Sequence, residues 1–512
     1  MQLYPILVVA VILIADAGLA VGDRAGHEAG WPALAAAVAP VALLLLLAAL
    51  VLSWCMRRMT AGRAPRSIVT ADRMIRHARW LILLIHAVAV LLYGWLQAVR
   101  DTVGDLILVD EFIAMLPPIL GAAALWWLHY PVERRVREAL LIRRIDLGQP
   151  IHAIPSRWRY VFQQTRLNLL LLLVPILIIL ALAEALHLVF DGVGEEALPR
   201  WLGDAATFVV GLSVFLCAPL LARLVLSLRP LGAGPVRNDL LAICRRHGVR
   251  VRQVLLWNTD GAMINAAVMG LLGSVRFVLM TDALIETLTR GQVQAVMAHE
   301  IGHVKRHHML WLVLSLIAAL LVATVLVSLP LAVLPWPGAV WSEPALSVVD
   351  GLVTAVAGTV ALIAFGWISR RYERQADTFA VQHLSVAQDG EGHDSDGRIT
   401  AEAVAAMNGA LDVIARLNIV DPHRKSWRHG SIAWRQRYLA SIVGGRADAL
   451  SIDRLVRRLK LAAALGLLLG AAGVFLLEWH VAATGEGAGE VPAVVGVYDP
   501  AGGAADSPLV LP

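Results

Sequence analysis

The sequence predicts a mostly α-helical, polytopic membrane protein carrying a small α/β domain that membrane spans interrupt. Three observations predict it. Apolar residues make up 58% of the chain, against about 45–50% in soluble domains. Charged residues are 16%, against roughly 25%, and mean hydropathy is +0.69. Long apolar segments recur, and a bilayer core of about 30 Å needs roughly 20 such residues in a helix.

Nine segments meet that length: 3–21, 34–55, 80–98, 106–129, 168–190, 205–228, 309–330, 350–369 and 459–478. The first ends in Ala17-Gly18-Leu19-Ala20, which resembles a signal-peptide cleavage site, but it lacks a positively charged start. It is read as a retained span. The fourth carries Asp110, Glu111, Pro117 and Pro118, so a kinked or interfacial end is expected. Arginine clusters between spans two and three (Arg57 to Arg79) and between spans four and five (Arg134 to Arg166). Positive loops mark the cytoplasmic side. Counting outward from them puts 229–308 and 370–458 in the cytoplasm, and 331–349 and the tail outside.

The polar stretch 229–308 reads as a small α/β unit. A helix is expected near 236–247, β-rich runs at 250–257, 264–271 and 274–280, and a long helix from near Asp282 into the seventh span. Residues 370–458 read as helical, broken at 388–398 by a Gly/Asp-rich loop whose spacing fails the EF-hand pattern. The domains are therefore 1–228, a membrane region of about six spans; 229–458, a domain with two inserted spans; 459–478, a final span; and 479–512, a Gly/Ala/Pro-rich tail expected to be disordered. The net charge of +5 is small for 512 residues. With no aromatic-basic motif and no recognition-helix signature, nucleic-acid binding is excluded as an expectation. Cys55, Cys217 and Cys244 form no disulfide framework and no CxxC knuckle.

The chemistry lies in Ala298-His299-Glu300-Ile301-Gly302-His303. On a helix, residues four apart share a face, so His299 and His303 can hold one metal. Neutral imidazole nitrogens suit Zn²⁺. Glu300 lies one step round, placed as a general base rather than a ligand. A catalytic zinc usually has three protein ligands. The metzincin pattern would need glycine at 306 and histidine at 309, which are Arg306 and Met309 here. Span seven holds no acid, and the topology puts Glu343 and Asp350 at the far surface. Glu373 is the first acid to return, in Ser369-Arg370-Arg371-Tyr372-Glu373-Arg374-Gln375-Ala376-Asp377. Asp377 shares its helical face and can accept the second N–H of a ligand histidine. His307 and His308 read as helix-end residues.

With these motifs, the sequence resembles the membrane zinc metallopeptidases of the HtpX and CAAX prenyl protease type. The likeness rests on the HExxH block, the Ser-Arg-x-x-Glu-x-x-x-Asp block at 369–377, and Asn265-Ala266 with Gly270. It covers roughly 235–440. It implies one Zn²⁺ per chain and peptide or membrane-protein substrates, lying extended along an edge strand at Asn265 and Ala266. The segment His429-Gly430-Ser431-Ile432-Ala433-Trp434-Arg435 is similar to the family's His-Pro-x-x-x-x-Arg segment. That implies His429 as oxyanion stabiliser and Arg435 bracing the substrate site. The resemblance implies an endopeptidase of the inner (cytoplasmic) membrane, its active site facing the cytoplasm. Two alternatives stand beside it: a narrow-specificity processing protease, and a non-catalytic membrane scaffold with a relic zinc site. Substrate and oligomeric state are not legible in the sequence.

Overall fold

The computed structural model describes residues 3–16, 30–62, 64–146, 150–193, 200–261, 263–333, 343–388, 397–418 and 420–485. The expected tail from 486, most of the 388–398 loop and the end of the first expected span lie outside them; residues 479–485, expected in the disordered tail, instead continue the last helix, Ser451–Gly485. Packing divides the chain into two units, 1–241 with 250–288 and 242–249 with 289–512.

The first unit opens with α1 (Tyr4–Ile14), α2 (Trp31–Thr60) and α3 (Ala64–Tyr93). In α2, Ala33, Ala37, Val41, Ala48, Leu52 and Cys55 are all buried. Their spacing of three, four or seven makes one stripe. Small residues let helices approach closely in lipid, and a Cβ added at Gly121 would meet Val41 at 3.0 Å and Ile82 at 3.1 Å. α3 extends back through the arginine-rich stretch, which the sequence places in a loop.

The expected fourth span resolves into α5 (Val109–Ala114) and α6 (Leu116–Asp146), preceded by α4 (Trp95–Val103). Arg100 explains its acids. The guanidinium Nε lies 2.7 Å from Asp110, and Nη2 lies 2.9 Å from Glu111 and 2.8 Å from Asp16. α7 (Arg157–Thr165) passes through a π turn at Arg166–Leu170 into α8 (Leu171–Val193), and α9 (Arg200–Val225) follows.

The sheet belongs to this unit. Its order is β1 (Leu228–Pro230), β2 (Gln253–Trp257), β4 (Phe277–Thr281), β3 (Ala266–Met269). β1 was not expected. β2 and β4 run parallel, and β3 pairs antiparallel with β4 in the register Ala266↔Met280 to Met269↔Phe277. β4 is buried along its whole length, while β3 lies at the sheet edge, half-buried. Asp282 fastens the β2–β3 turn, accepting from the Thr259 hydroxyl at 2.6 Å and from the N–H groups of Thr259 and Gly261.

α10 (Pro235–Arg246) leads from the first unit to the second. The long helix expected from Asp282 is three helices: α11 (Asp282–Thr287), α12 (Arg290–Lys305) and α13 (His308–Val333). Local chemistry makes the breaks. Leu288 is extended, and Thr289 forms a capping box with Gln292 that restarts the chain as α12. His307 takes φ 53°, ending the second turn of direction before α13.

The second unit continues with α14 (Glu343–Gln388), α15 (Ala401–Leu417), α16 (Ile432–Ser441) and α17 (Ser451–Gly485). α13 and α17 pack through glycine. A Cβ at Gly470 would lie 2.7 Å from that of Leu321, and one at Gly473 would lie 2.9 Å from Val325. Among the described residues, eight helices are long and apolar enough to cross a membrane, and Tyr4–Ile14 is a shorter apolar helix. Leu461, Leu465, Leu468 and Leu469 of α17 are exposed along one stretch. Apolar surface of that extent suits lipid rather than water.

Candidate metal centre

α12 and α14 approach closely because small residues line the contact. Ala295, Ala298, Ala376 and Ala380 are all fully buried. Gly302, inside the HExxH block, leaves room for Phe379, which a Cβ there would meet at 3.1 Å. The approach brings Glu373 and Asp377 of α14 against His299 and His303 of α12.

Nε2 of His299 lies 3.2 Å from Nε2 of His303. Glu373 Oε2 lies 3.8 Å from the first and Oε1 3.7 Å from the second. One ligand atom from each of the three residues falls within 4.8 Å of the others. His299 Nδ1 lies 2.8 Å from Asp377 Oδ1. An ionised carboxylate only accepts, so Nδ1 carries the hydrogen, and the Nε2 of the neutral ring is a lone pair. His299 Nε2 therefore presents an electron pair, not a hydrogen, towards His303 and Glu373. Tetrahedral bonds of about 2.0–2.1 Å put ligand atoms about 3.3–3.4 Å apart, close to the spacings seen. The donor set fits zinc.

Asp377 is fully buried and is held by Arg435, whose Nε and Nη2 donate to its two oxygens at 2.7 and 2.6 Å. The same guanidinium lies 3.5 Å from Glu373. Burial alone would lower the Arg435 and His299 pKa values, but Asp377 reverses both and raises them. His303 has no such carboxylate at its back. Burial pushes its pKa down to about 4.

Glu300 lies between the two histidines on α12, half-buried, and its charge acts on Arg435. His429, 53% exposed, places Nδ1 2.8 Å from Glu373 Oε1. Gly430 takes φ 74°, which proline's fixed φ of about −65° forbids; hence the departure from His-Pro. Asn265 and Ala266 lie in the first unit, at the start of edge strand β3. The Asn265 side chain accepts from the Ala266 N–H at 3.0 Å.

Sequence reasoning missed three residues beside the centre. His308 Nδ1 lies 3.0 Å from His303 Nδ1, Gln375 joins His308 at 2.8 Å, and Asp453 joins Gln375 at 2.6 Å. A helix-end histidine gave no signal in itself. The clue available was that His308 follows His303 at the break between two helices.

Residues 237–392 match the sequence profile of peptidase family M48. Over 56 residues the chain is 41% identical to the chloroplastic plastoglobule-localized metallopeptidase 48 of Arabidopsis thaliana, a stretch that spans 11% of this chain and 16% of that relative. Among solved structures it is similar to S. mikatae Ste24p, with a TM-score of 0.43 and 16% identity over 79% of this chain and 97% of that one. The matched segment holds both histidines, the glutamate between them and Glu373.

Proposed function

We propose that the chain is a membrane-bound zinc endopeptidase, with His299, His303 and Glu373 holding one zinc and Glu300 acting as general base. The observation that carries the proposal is the convergence of three ligand atoms beside a glutamate on the same helix, within an M48 segment. When bound, zinc supplies Lewis acidity, polarising the scissile carbonyl and making water easier to deprotonate.

This chain's residues supply the rest. Glu300 takes a proton from the attacking water and hands it to the leaving amine. Asp377 orients His299, and Arg435 holds Asp377 in place, a bracing role exerted on the metal site rather than on substrate. His429 is assigned the oxyanion. Its exposed ring can turn from Glu373 to donate there. Asn265 and Ala266 begin the edge strand that would take an extended peptide by backbone pairing. The arginine bias supports an active site at the cytoplasmic face of the inner membrane, acting on peptide or membrane-protein substrates, with membrane-protein quality control as the physiological setting.

Glu300→Gln tests the reading. It preserves size and ligands, so zinc content should hold while cleavage of an unfolded substrate such as casein falls about 10²–10⁴-fold. Equal cleavage by both proteins, with a chelator control excluding contaminants, would refute the mechanism. Full zinc binding with no cleavage by either would favour the scaffold reading.

A further inference from the structure

We propose that His308, Gln375 and Asp453 form a hydrogen-bond relay that fixes the tautomer of His303, placing zinc affinity partly under the control of the C-terminal membrane helix α17. The inference rests on the metal-centre reading and extends it to three residues outside the ligand set.

The relay reads from its far end. Asp453, on α17, is a carboxylate and only accepts. The part of Gln375 that lies 2.6 Å from it is therefore the NH₂. That orientation turns Oε1 of Gln375 towards His308 Nε2 at 2.8 Å. An amide oxygen accepts, so His308 carries its hydrogen on Nε2, and Nδ1 of the neutral ring is a lone pair. Nδ1 of His308 faces Nδ1 of His303 at 3.0 Å. His303 must then donate from Nδ1, which leaves its Nε2 lone pair aimed at the centre beside that of His299.

The relay is built to hold. His308 and Gln375 are 2% and 4% exposed. The His308 ring stacks on Tyr372 with centroids 4.6 Å apart and planes 7° from parallel. Arg306 lies 3.5 Å from Asp453. The three residues come from the start of α13, the middle of α14 and the start of α17. α17 thus reaches the metal site through directed hydrogen bonds as well as through apolar packing.

The logic permits a release and a rescue with little change of size. Asp453→Leu removes the acceptor that orients the Gln375 amide. The freed amide can turn and offer its NH₂ to His308, whose hydrogen then moves to Nδ1 and faces His303. His303 is left with its hydrogen on the metal-facing nitrogen. Adding Gln375→Glu supplies a carboxylate that only accepts, so His308 Nε2 keeps its hydrogen whatever stands at 453, restoring the original direction.

The test uses the purified full chain in detergent, with zinc affinity read by chelator competition and unfolding of the metal-free protein read in parallel. Asp453→Leu should weaken zinc roughly 10–100-fold, the range for outer partners of metal ligands. Asp453→Leu with Gln375→Glu should return affinity close to wild type. A merely structural role would track metal-free unfolding and show no rescue. An unchanged affinity for Asp453→Leu, or a double variant as weak as the single one, overturns the relay and leaves the metal centre standing. Wild-type protein that binds no zinc overturns both.

Discussion

His299 and His303 sit one turn apart on the same helix and face the same centre, yet the fold supports them by opposite means. Behind His299 stands an ionic pair, Asp377 with a bidentate Arg435, both buried. Behind His303 stands a neutral imidazole and a neutral amide, with a charged group, Asp453, at the relay's far end. One support works by charge and the other by hydrogen-bond direction. The first is costly to break and sensitive to protons; the second is cheap to break and sensitive to which atom donates.

The largest expected effect follows from charge. Arg435→Ala would leave Asp377 buried and uncompensated, a change worth about 3–5 kcal/mol in comparable buried pairs. Chemical unfolding in detergent should show that loss, and Arg435→Lys should fall between it and wild type because lysine cannot make the two-pronged contact. A loss below that for Arg435→Ala would mean the pair is more hydrated than its burial indicates.

Breaking the neutral support should cost less. Gln375→Leu removes the acceptor of His308 while keeping bulk, and one unsatisfied buried donor costs about 1–3 kcal/mol. If the same unfolding assay ranks Gln375→Leu above Arg435→Ala, the contrast between the two supports fails.

Acidification should separate the two histidines by position on the pH axis. Asp377 raises the His299 pKa above its ordinary value of 6.5, so protons compete with metal there first as pH falls. His303, held down to about 4 by burial, stays neutral to much lower pH. Zinc retention in dilute chelator should therefore begin to fall near or above pH 6.5, and steepen only near pH 4. A single sharp loss near pH 4 would remove the assigned effect of Asp377.

The same contrast marks what was legible in the sequence. His299, His303, Glu373 and Asp377 could be found because helical spacing puts i and i+4 on one face, and because span counting returns Glu373 to the side of His303. Apolar length gave the helices, and β-rich runs gave β2, β3 and β4. Other features depend on contacts between distant segments. Arg100 among its acids, and His308 with Gln375 and Asp453, show no local pattern, since Asp453 joins Gln375 across 78 positions. The break of the Asp282 helix into three lay in cap chemistry at Thr289 and a positive φ at His307, which hydrophobic periodicity does not register. The sheet's membership of the first unit likewise follows from packing rather than from its place in the chain.

One catalytic zinc held by His299, His303 and Glu373 is the proposal on which the other roles depend. Elemental analysis of the purified chain tests it most directly. Wild type should carry about one zinc per chain, as three ligands and an open position require. His299→Ala, His303→Ala and Glu373→Ala should each be depleted, while Glu300→Gln retains the metal. Stoichiometric zinc surviving the loss of both histidines would contradict the claim.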